Sequence, residues 1–432
     1  MLSKILLTIN LTRTIFSLLT QRLLDRLQNL IHFHTYTPHA TPKDIIVIGA
    51  SYAGYTCAEH LSQTLPPGWR VVLTEINEFF NHTWLFPRAS VMSRKAIEQL
   101  TYIPYPIRPR YAPDGSYLFR RRKASRVDTE LQHIHLEDGA VLAYEYLVLA
   151  TGLPGRYPAG INSLQRDQGL EYFARLQTQI KEARSVIVIG GGPVGIEVAL
   201  DVVSEYVGKE ITLIHSRGHL AHGYGVRLHV ACMRALSEGG VKVILNERVK
   251  SVDATCGHVK LSTGEDLAAE AVVSLSGRGS WDLLIMITDN MQIMCTGSAP
   301  ASNPLPGLPS EIITPTGMIS VNSYLQADDA STPNIFAVGD IADTGVKKMG
   351  RAAGLQGLVA ARNIVRRITG RNMMLYKPGI IEQSIDMTVG LHKHLIHVEG
   401  GGRCMQFLRR TKDETLRAAD MWRMLGAEPP CV

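Results

Sequence analysis

The sequence contains no C-x-x-C pair. Its six cysteines, Cys57, Cys232, Cys256, Cys295, Cys404 and Cys431, are scattered along 432 residues. That spacing excludes a disulfide framework, a zinc ribbon and a dithiol redox centre, and reads as reduced, mostly buried thiols of an intracellular protein. A dominant basic stripe is also missing. The formal net charge is +6 and the densest run is Arg120-Arg121-Arg122-Lys123, which speaks against nucleic acid as a partner. No uninterrupted apolar run reaches the roughly 20 residues of a membrane span. No Ser-His-Asp arrangement stands out, and His392, His394 and His397 fit no zinc spacing, so no metal is expected. What remains is an ordinary globular composition, 45% hydrophobic and 19% charged, long enough for two or three domains at roughly 100–200 residues each.

Acids are scarce in residues 1–42. Lys4, Arg13, Arg22 and Arg26 are opposed by Asp25 alone, while apolar residues from Leu2 to Ile31 approximate one face of a helix. Three readings stay open: a mitochondrial presequence, a helix lying in a membrane interface, or a helix docked on the protein's own surface. The expected location is correspondingly intracellular, mitochondrion-associated or at a membrane surface, and otherwise cytoplasmic. Thr37 to Pro42 reads as a linker.

What is present, twice, is a strand that ends in a glycine corner and opens a helix. Such a corner lets the backbone approach a pyrophosphate, with the helix N-terminus aimed at the anion. The first copy runs from strand Asp44–Ile48 into Gly49-Ala50-Ser51-Tyr52-Ala53-Gly54, with Ser51 replacing the middle glycine of G-x-G-x-x-G. A second strand, Arg70–Thr74, then ends in Glu75, where a carboxylate would hold ribose hydroxyls. The second copy runs from Ser185–Ile189 into Gly190, Gly192 and Gly195. Its second strand, Glu210–Ile214, ends in His215-Ser216-Arg217. The acid that favours NAD is absent there, and the groups in its place could accept a 2′-phosphate.

Two cradles imply two dinucleotides face to face: a tightly held flavin, FAD, and a nicotinamide, NADH or NADPH, that comes and goes. Two more segments fit. Tyr146–Gly152, YLVLATG, closes a strand on Thr151-Gly152, and Asn334–Asp340, NIFAVGD, closes another on Gly339-Asp340, where the aspartate could accept from a ribityl hydroxyl. Lys348, following that motif, is the single candidate for a cation near the flavin ring.

On IIVIGASYAG, the Arg88-Ala89-Ser90 of LFPRASV, YLVLATG, VIVIGGGPVGIEVA, ITLIHSR, NIFAVGDIAD with Lys348-Met349, YKPG and the ending MWRMLGAEP, the chain resembles the pyridine nucleotide-disulphide oxidoreductase-like flavoproteins. Within them it is most similar to the apoptosis-inducing-factor-like, ferroptosis-suppressor group and its fungal members. The resemblance implies an FAD enzyme that oxidises NAD(P)H and reduces a quinone-like acceptor, often at a membrane. It places Gly49 to Gly54 on the flavin pyrophosphate, Glu75 on the adenosine ribose, Arg88 against the FAD, Ser125 with its backbone on the adenine, and Asp340 on the ribityl chain. Gly190, Gly192 and Gly195 would hold the nicotinamide dinucleotide. A tailoring reductase and a DNA-binding signalling flavoprotein are the alternatives.

The implied fold class is α/β: two Rossmann-like domains in the glutathione reductase manner, with a small C-terminal α+β unit. The FAD domain, 43–157 and 302–371, is expected to be discontinuous, with the NAD(P)H domain, 183–300, inserted and 372–432 forming the C-terminal unit. A strand is expected within Ile380–Val389, and an antiparallel excursion from Tyr111 to Val141. The chain departs from the pattern twice. Leu2 stands where an animal member carries the glycine for myristoylation, so that anchor is not expected. Residues 272–291 have no counterpart in the pattern. They read as an unspliced intron, since a valine codon begins with GT and a glutamine codon can end in AG, or as a surface insertion.

Overall fold

The computed structural model describes residues 2–152, 165–253, 258–268, 271–274, 305–400 and 403–431. It opens with a long helix, α1 (Leu2–Thr35), and then follows β1 (Lys43–Ile48), α2 (Tyr52–Ser62) and β2 (Trp69–Thr74). The strands are short β-branched runs buried on both sides, which suits a parallel sheet covered by helices. After a short helix, α3 (Phe86–Ala89), β3 (Tyr117–Arg120) adds to β2 in parallel, with Val71 opposite Tyr117. The chain then leaves the sheet for an antiparallel excursion, β4 (Ala124–Asp128), β5 (His133–Leu136) and β6 (Val141–Ala143). It returns as β7 (Tyr146–Leu149) on the far side of β1. The excursion therefore starts later than expected from sequence: Tyr117–Arg120 is an edge strand of the parallel sheet.

Helix α4 (Arg166–Glu182) leads into a second parallel sheet. It is made of β8 (Ser185–Ile189), β9 (Glu210–His215), β10 (Lys242–Leu245) and β11 (Ala271–Ser274), with α5 (Pro193–Glu205) and α6 (Gly225–Glu238) as crossovers. Strand β11 takes up Val272 to Ser274, with Val272 buried opposite Ile187. The first three residues of the 272–291 stretch are thus sheet residues, and the rest lies outside the described residues. The chain rejoins the first sheet as β12 (Ile335–Ala337), alongside β7, and continues into α7 (Gly350–Ile368).

The strand orders are β3-β2-β1-β7-β12 and β10-β9-β8-β11. Each reverses direction beside its first strand, and in open α/β sheets that reversal opens the crevice where ligands bind. The fold class expected from sequence is what the structure has. A meander, β13 (Ile385–Thr388), β14 (Lys393–Gly400) and β15 (Arg403–Arg410), closes the chain with α8 (Ala418–Met424). The tail is packed, not trailing: Trp422 is buried and its Nε1–H donates to the Leu100 carbonyl at 3.1 Å.

Candidate functional site: two matched glycine corners

The two corners are built from the same two hydrogen bonds. In the first, Gly49 N–H donates to Thr74 O at 2.8 Å and Ala50 N–H to Glu75 Oε2 at 2.6 Å. In the second, Gly190 N–H donates to Ile214 O at 2.8 Å and Gly191 N–H to His215 Nδ1 at 3.1 Å. Gly49 and Gly190 sit at φ of 98° and 123°, a region open to glycine but strained for other residues. His215 therefore occupies the place that Glu75 holds in the first copy. Its ring accepts through Nδ1 and donates through Nε2–H to His219 O at 3.1 Å. Burial, first, lowers its pKa; the bond to His219 O opposes this, and the nearby Arg217, His222 and His229 side chains add to the lowering.

The segments expected around a flavin converge on the first corner. A Cβ on Gly49 would overlap the Ala150 carbonyl, so the end of β7, with Thr151 and Gly152, lies against the glycine loop. A Cβ on Gly339 would come within 3.0 Å of Ala53 Cβ, which places the Gly339-Asp340 turn on the first turn of α2. Gly350, at the start of α7, abuts the Tyr52 ring, and Gly357 lets α7 pack on the Ala53 backbone. Ser51 caps α2 without a side-chain bond, which leaves its hydroxyl and the first-turn N–H groups available to an anion. Glu75 is anchored by Ala50 N–H, Ile76 N–H and the Asn77 amide. Ser125 falls at a register shift in β4, its hydroxyl turned to His135 O at 3.1 Å. These residues fit a flavin dinucleotide: a tight glycine turn, a free helix N-terminus and an acid at the end of β2.

In the second corner, Gly192 caps α5 and Gly195 is buried on its first turn. Arg217 is exposed and makes no ion pair among the described residues. Lys348 is half-buried and donates to Ala342 O at 2.5 Å. Burial lowers its pKa while Asp340 and Asp343 raise it; burial raises that of Asp340 while Lys348 lowers it. The pair therefore belongs to one electrostatic unit beside the first corner.

Arg88 is placed differently from expectation. It is 1% exposed and all five of its N–H donors are taken by protein. Nε and Nη2 fork onto Asp201 of α5 at 3.0 and 2.9 Å, Nη2 also meets Gly390 O, and Nη1 meets Glu414 O and Leu391 O. The guanidinium thus forms a clasp between α3, α5 and the C-terminal unit and keeps no side-chain donor for another group. Sequence spacing offers no signal for partners 113 to 326 residues away.

Two residues to which the sequence assigns no role support the first corner. Gln356 of α7 accepts the Gly339 N–H at 2.8 Å and so fixes the turn before Asp340. His82 is buried, paired through Nδ1 with Tyr52 OH at 2.9 Å, and its Nε2 has no protein partner. Burial pushes its pKa down to about 4, which keeps the ring neutral.

Glu197 of α5 accepts Thr388 N–H at 2.9 Å. Burial, foremost, pushes its pKa up to about 7; Thr388 N–H and Arg88 pull it down and Asp201 pushes it up. Folded, Glu197 holds its proton up to about pH 7, whereas the unfolded chain releases it near 4.5. Between those values the native state binds more protons. This contribution to stability is full below 4.5 and is lost as pH rises through 7. Glu197→Gln is therefore expected to flatten the fall in melting temperature across that window and to melt at least as high as wild type at pH 8, read by thermal melts. Glu59, which burial also pushes up to about 7, adds to the fall, while the buried His60 and His82, held down to about 4, act in the opposite sense below 6.5.

The doubled corner, the two parallel sheets and their strand order define a class: flavin- and nicotinamide-binding oxidoreductases. A family model described as pyridine nucleotide-disulphide oxidoreductase matches residues 43–357, and the chain belongs to that family. Its cofactors are FAD and NAD(P)H. Ferroptosis suppressor protein 1 of Homo sapiens is 29% identical over 392 residues, 89% of this chain and 96% of that protein. Fe-regulated protein 8 of Mycosarcoma maydis is 28% identical over 414 residues, 88% and 97% of the two chains. Both bear out the resemblance stated above. Among solved structures, the sulfide:quinone oxidoreductase of Aquifex aeolicus superposes with a TM-score of 0.66 at 20% identity, covering 89% of this chain and 92% of that one.

Proposed function

We propose that the chain oxidises NAD(P)H and passes electrons through FAD to a quinone-like small molecule. The observation that carries this reading is the matched pair of corners, each with its own switch-point crevice. When bound, FAD would supply hydride acceptance from the nicotinamide and onward electron transfer. The first corner would hold it on the Gly49–Gly54 turn, through the N–H groups of Ser51 to Gly54 at the start of α2, with Glu75 on the ribose and Asp340 on the ribityl chain. The second corner would hold NAD(P)H on Gly190, Gly192 and Gly195. Lys348, beside Asp340, would offer positive charge near the ring. The C-terminal unit would exclude water from one side of the site.

The acceptor class is supported by the resemblance and by the fold shared with a sulfide:quinone oxidoreductase. A quinone of the lipid phase would be met at a membrane surface. Purified protein is expected to be yellow, to bleach on addition of NADPH under anaerobic conditions, and to turn over with short-chain ubiquinone analogues. Protein that binds flavin but shows no oxidation of either nicotinamide with any quinone would overturn the reading.

The second corner also supports a preference for NADPH. His215 is neutral where Glu75 is an acid, and Arg217 is an exposed cation without a partner in that corner. A 2′-phosphate beside Arg217 gains a charge-assisted hydrogen bond, where a carboxylate would repel it. Arg217→Glu is expected to lower kcat/KM for NADPH by about tenfold to a hundredfold while leaving NADH within a few-fold. Steady-state kinetics with both nucleotides check this.

A further inference from the structure

Helix α1 is attached by its polar side. Asp25 meets Arg362 at 2.6 Å, Asn29 Nδ2 donates to Gln63 Oε1 at 2.6 Å, and His32 Nε2–H donates to Leu65 O at 2.6 Å. Just past the helix, Tyr36 OH donates to Trp69 O at 2.9 Å. The spacing of 25, 29, 32 and 36 marks one face of a helix. The opposite face carries Phe16, Leu19, Leu23, Leu27 and Leu30, flanked by Leu24 and Ile31, and all are exposed; Phe16 is 71% exposed and Ile31 64%. A surface helix ordinarily turns its apolar stripe to the core. Here the polarity is reversed, and the polar bonds hold it so.

The charged side chains described as exposed on α1 are cations. Arg13 and Arg26 are exposed on α1, whose one acid, Asp25, is paired with Arg362. Strand β15 runs next to α1 and shows Phe407, Leu408 and Arg410 to solvent, while Arg409 is paired with Asp386 at 3.3 Å. No described helix is long and apolar enough to cross a membrane. An apolar stripe rimmed by cations on a helix that cannot span suits an interface of apolar chains beneath anionic headgroups. A second copy would cover the same leucines but would set cation against cation.

We propose that the outward face of α1 is a docking surface that lays the protein on an anionic phospholipid bilayer. The acceptor reading above gives this surface its purpose, but lipid binding stands or falls by itself. In vesicle co-sedimentation, the full chain is expected to pellet with phosphatidylcholine–phosphatidylserine vesicles, less with phosphatidylcholine alone, and less at high salt. Leu23→Ser/Leu27→Ser/Leu30→Ser, at exposed positions, is expected to bind at least about tenfold more weakly. It should keep its flavin and its NADPH oxidation with a water-soluble acceptor. Arg13→Glu/Arg26→Glu is expected to lose the preference for anionic vesicles. The proposal is overturned if the full chain stays in the supernatant with both vesicle types, or if the triple variant pellets as well as wild type. It is equally overturned if the triple variant instead turns a dimer into a monomer in light scattering while wild type ignores lipid. Vesicle binding without quinone reduction would sink the acceptor reading and leave the docking surface standing.

Discussion

Gly54→Val is expected to yield a chain that purifies without flavin. A Cβ at Gly54 would lie well inside van der Waals contact of the Gly49 carbonyl, with Ala150 Cβ 3.0 Å away on the other side. The obstruction is backbone, not a movable side-chain end, so α2 must shift away from β1. The first turn of α2 is the platform on which a pyrophosphate would rest, and moving it removes the aligned N–H groups and the dipole that attract the anion. Flavin content per chain is expected to fall at least about tenfold, read from the visible spectrum after gel filtration. Gly68→Ala is the control. Gly68 is also at positive φ, 87°, but a Cβ there meets nothing within 4 Å. It is expected to lose about 1 kcal/mol of stability and keep its flavin. If Gly54→Val retains flavin at the wild-type ratio, the first corner is not the flavin cradle.

This result depends on features that are local in the sequence, which is why they were legible there. A β-branched run, a glycine turn, a helix and a terminal acid lie within about 30 residues of one another in a βαβ unit, and the doubling of that pattern predicts two parallel sheets. The convergence of Thr151-Gly152 and Gly339-Asp340 on the first corner was legible because each ends a strand of the same sheet. Other parts were hidden for physical reasons. That His215 takes over the hydrogen bond made by Glu75 in the first copy becomes visible only when the two corners are compared atom by atom. The helical period of α1 was readable, but which side docks was not. Apolar spacing suggests burial, whereas Asp25, Asn29 and His32 make the attachment. The 3.6-residue period fixes faces and leaves their partners undetermined.

Arg88→Ala is expected to be the most destabilising substitution outside the glycine corners. Arg88 and Asp201 are each 1% exposed and joined by two hydrogen bonds, so the charge left behind has neither water nor a partner. Breaking a buried pair from one side typically costs about 3–5 kcal/mol. Three backbone carbonyls, of Gly390, Leu391 and Glu414, lose their donor as well. At roughly 2 °C per kcal/mol for a chain of this size, the melting temperature should drop by about 6–10 °C. Asp201→Ala should lose a similar amount, because it strands the guanidinium instead. The informative variant is the double change Arg88→Met/Asp201→Leu, which removes both charges and keeps volume. If the clasp acts chiefly by avoiding unpaired charge, the double variant recovers most of the loss. If the three carbonyls dominate, it does not, because methionine cannot donate to them. Because the same guanidinium joins α3, α5 and the loops flanking β14 and α8, loss of the clasp should also loosen one sheet relative to the other. It should raise KM for NADPH together with lowering kcat, even in the double variant that melts near wild type. A double variant that restores both stability and kinetics would reduce Arg88 to a charge-pairing role.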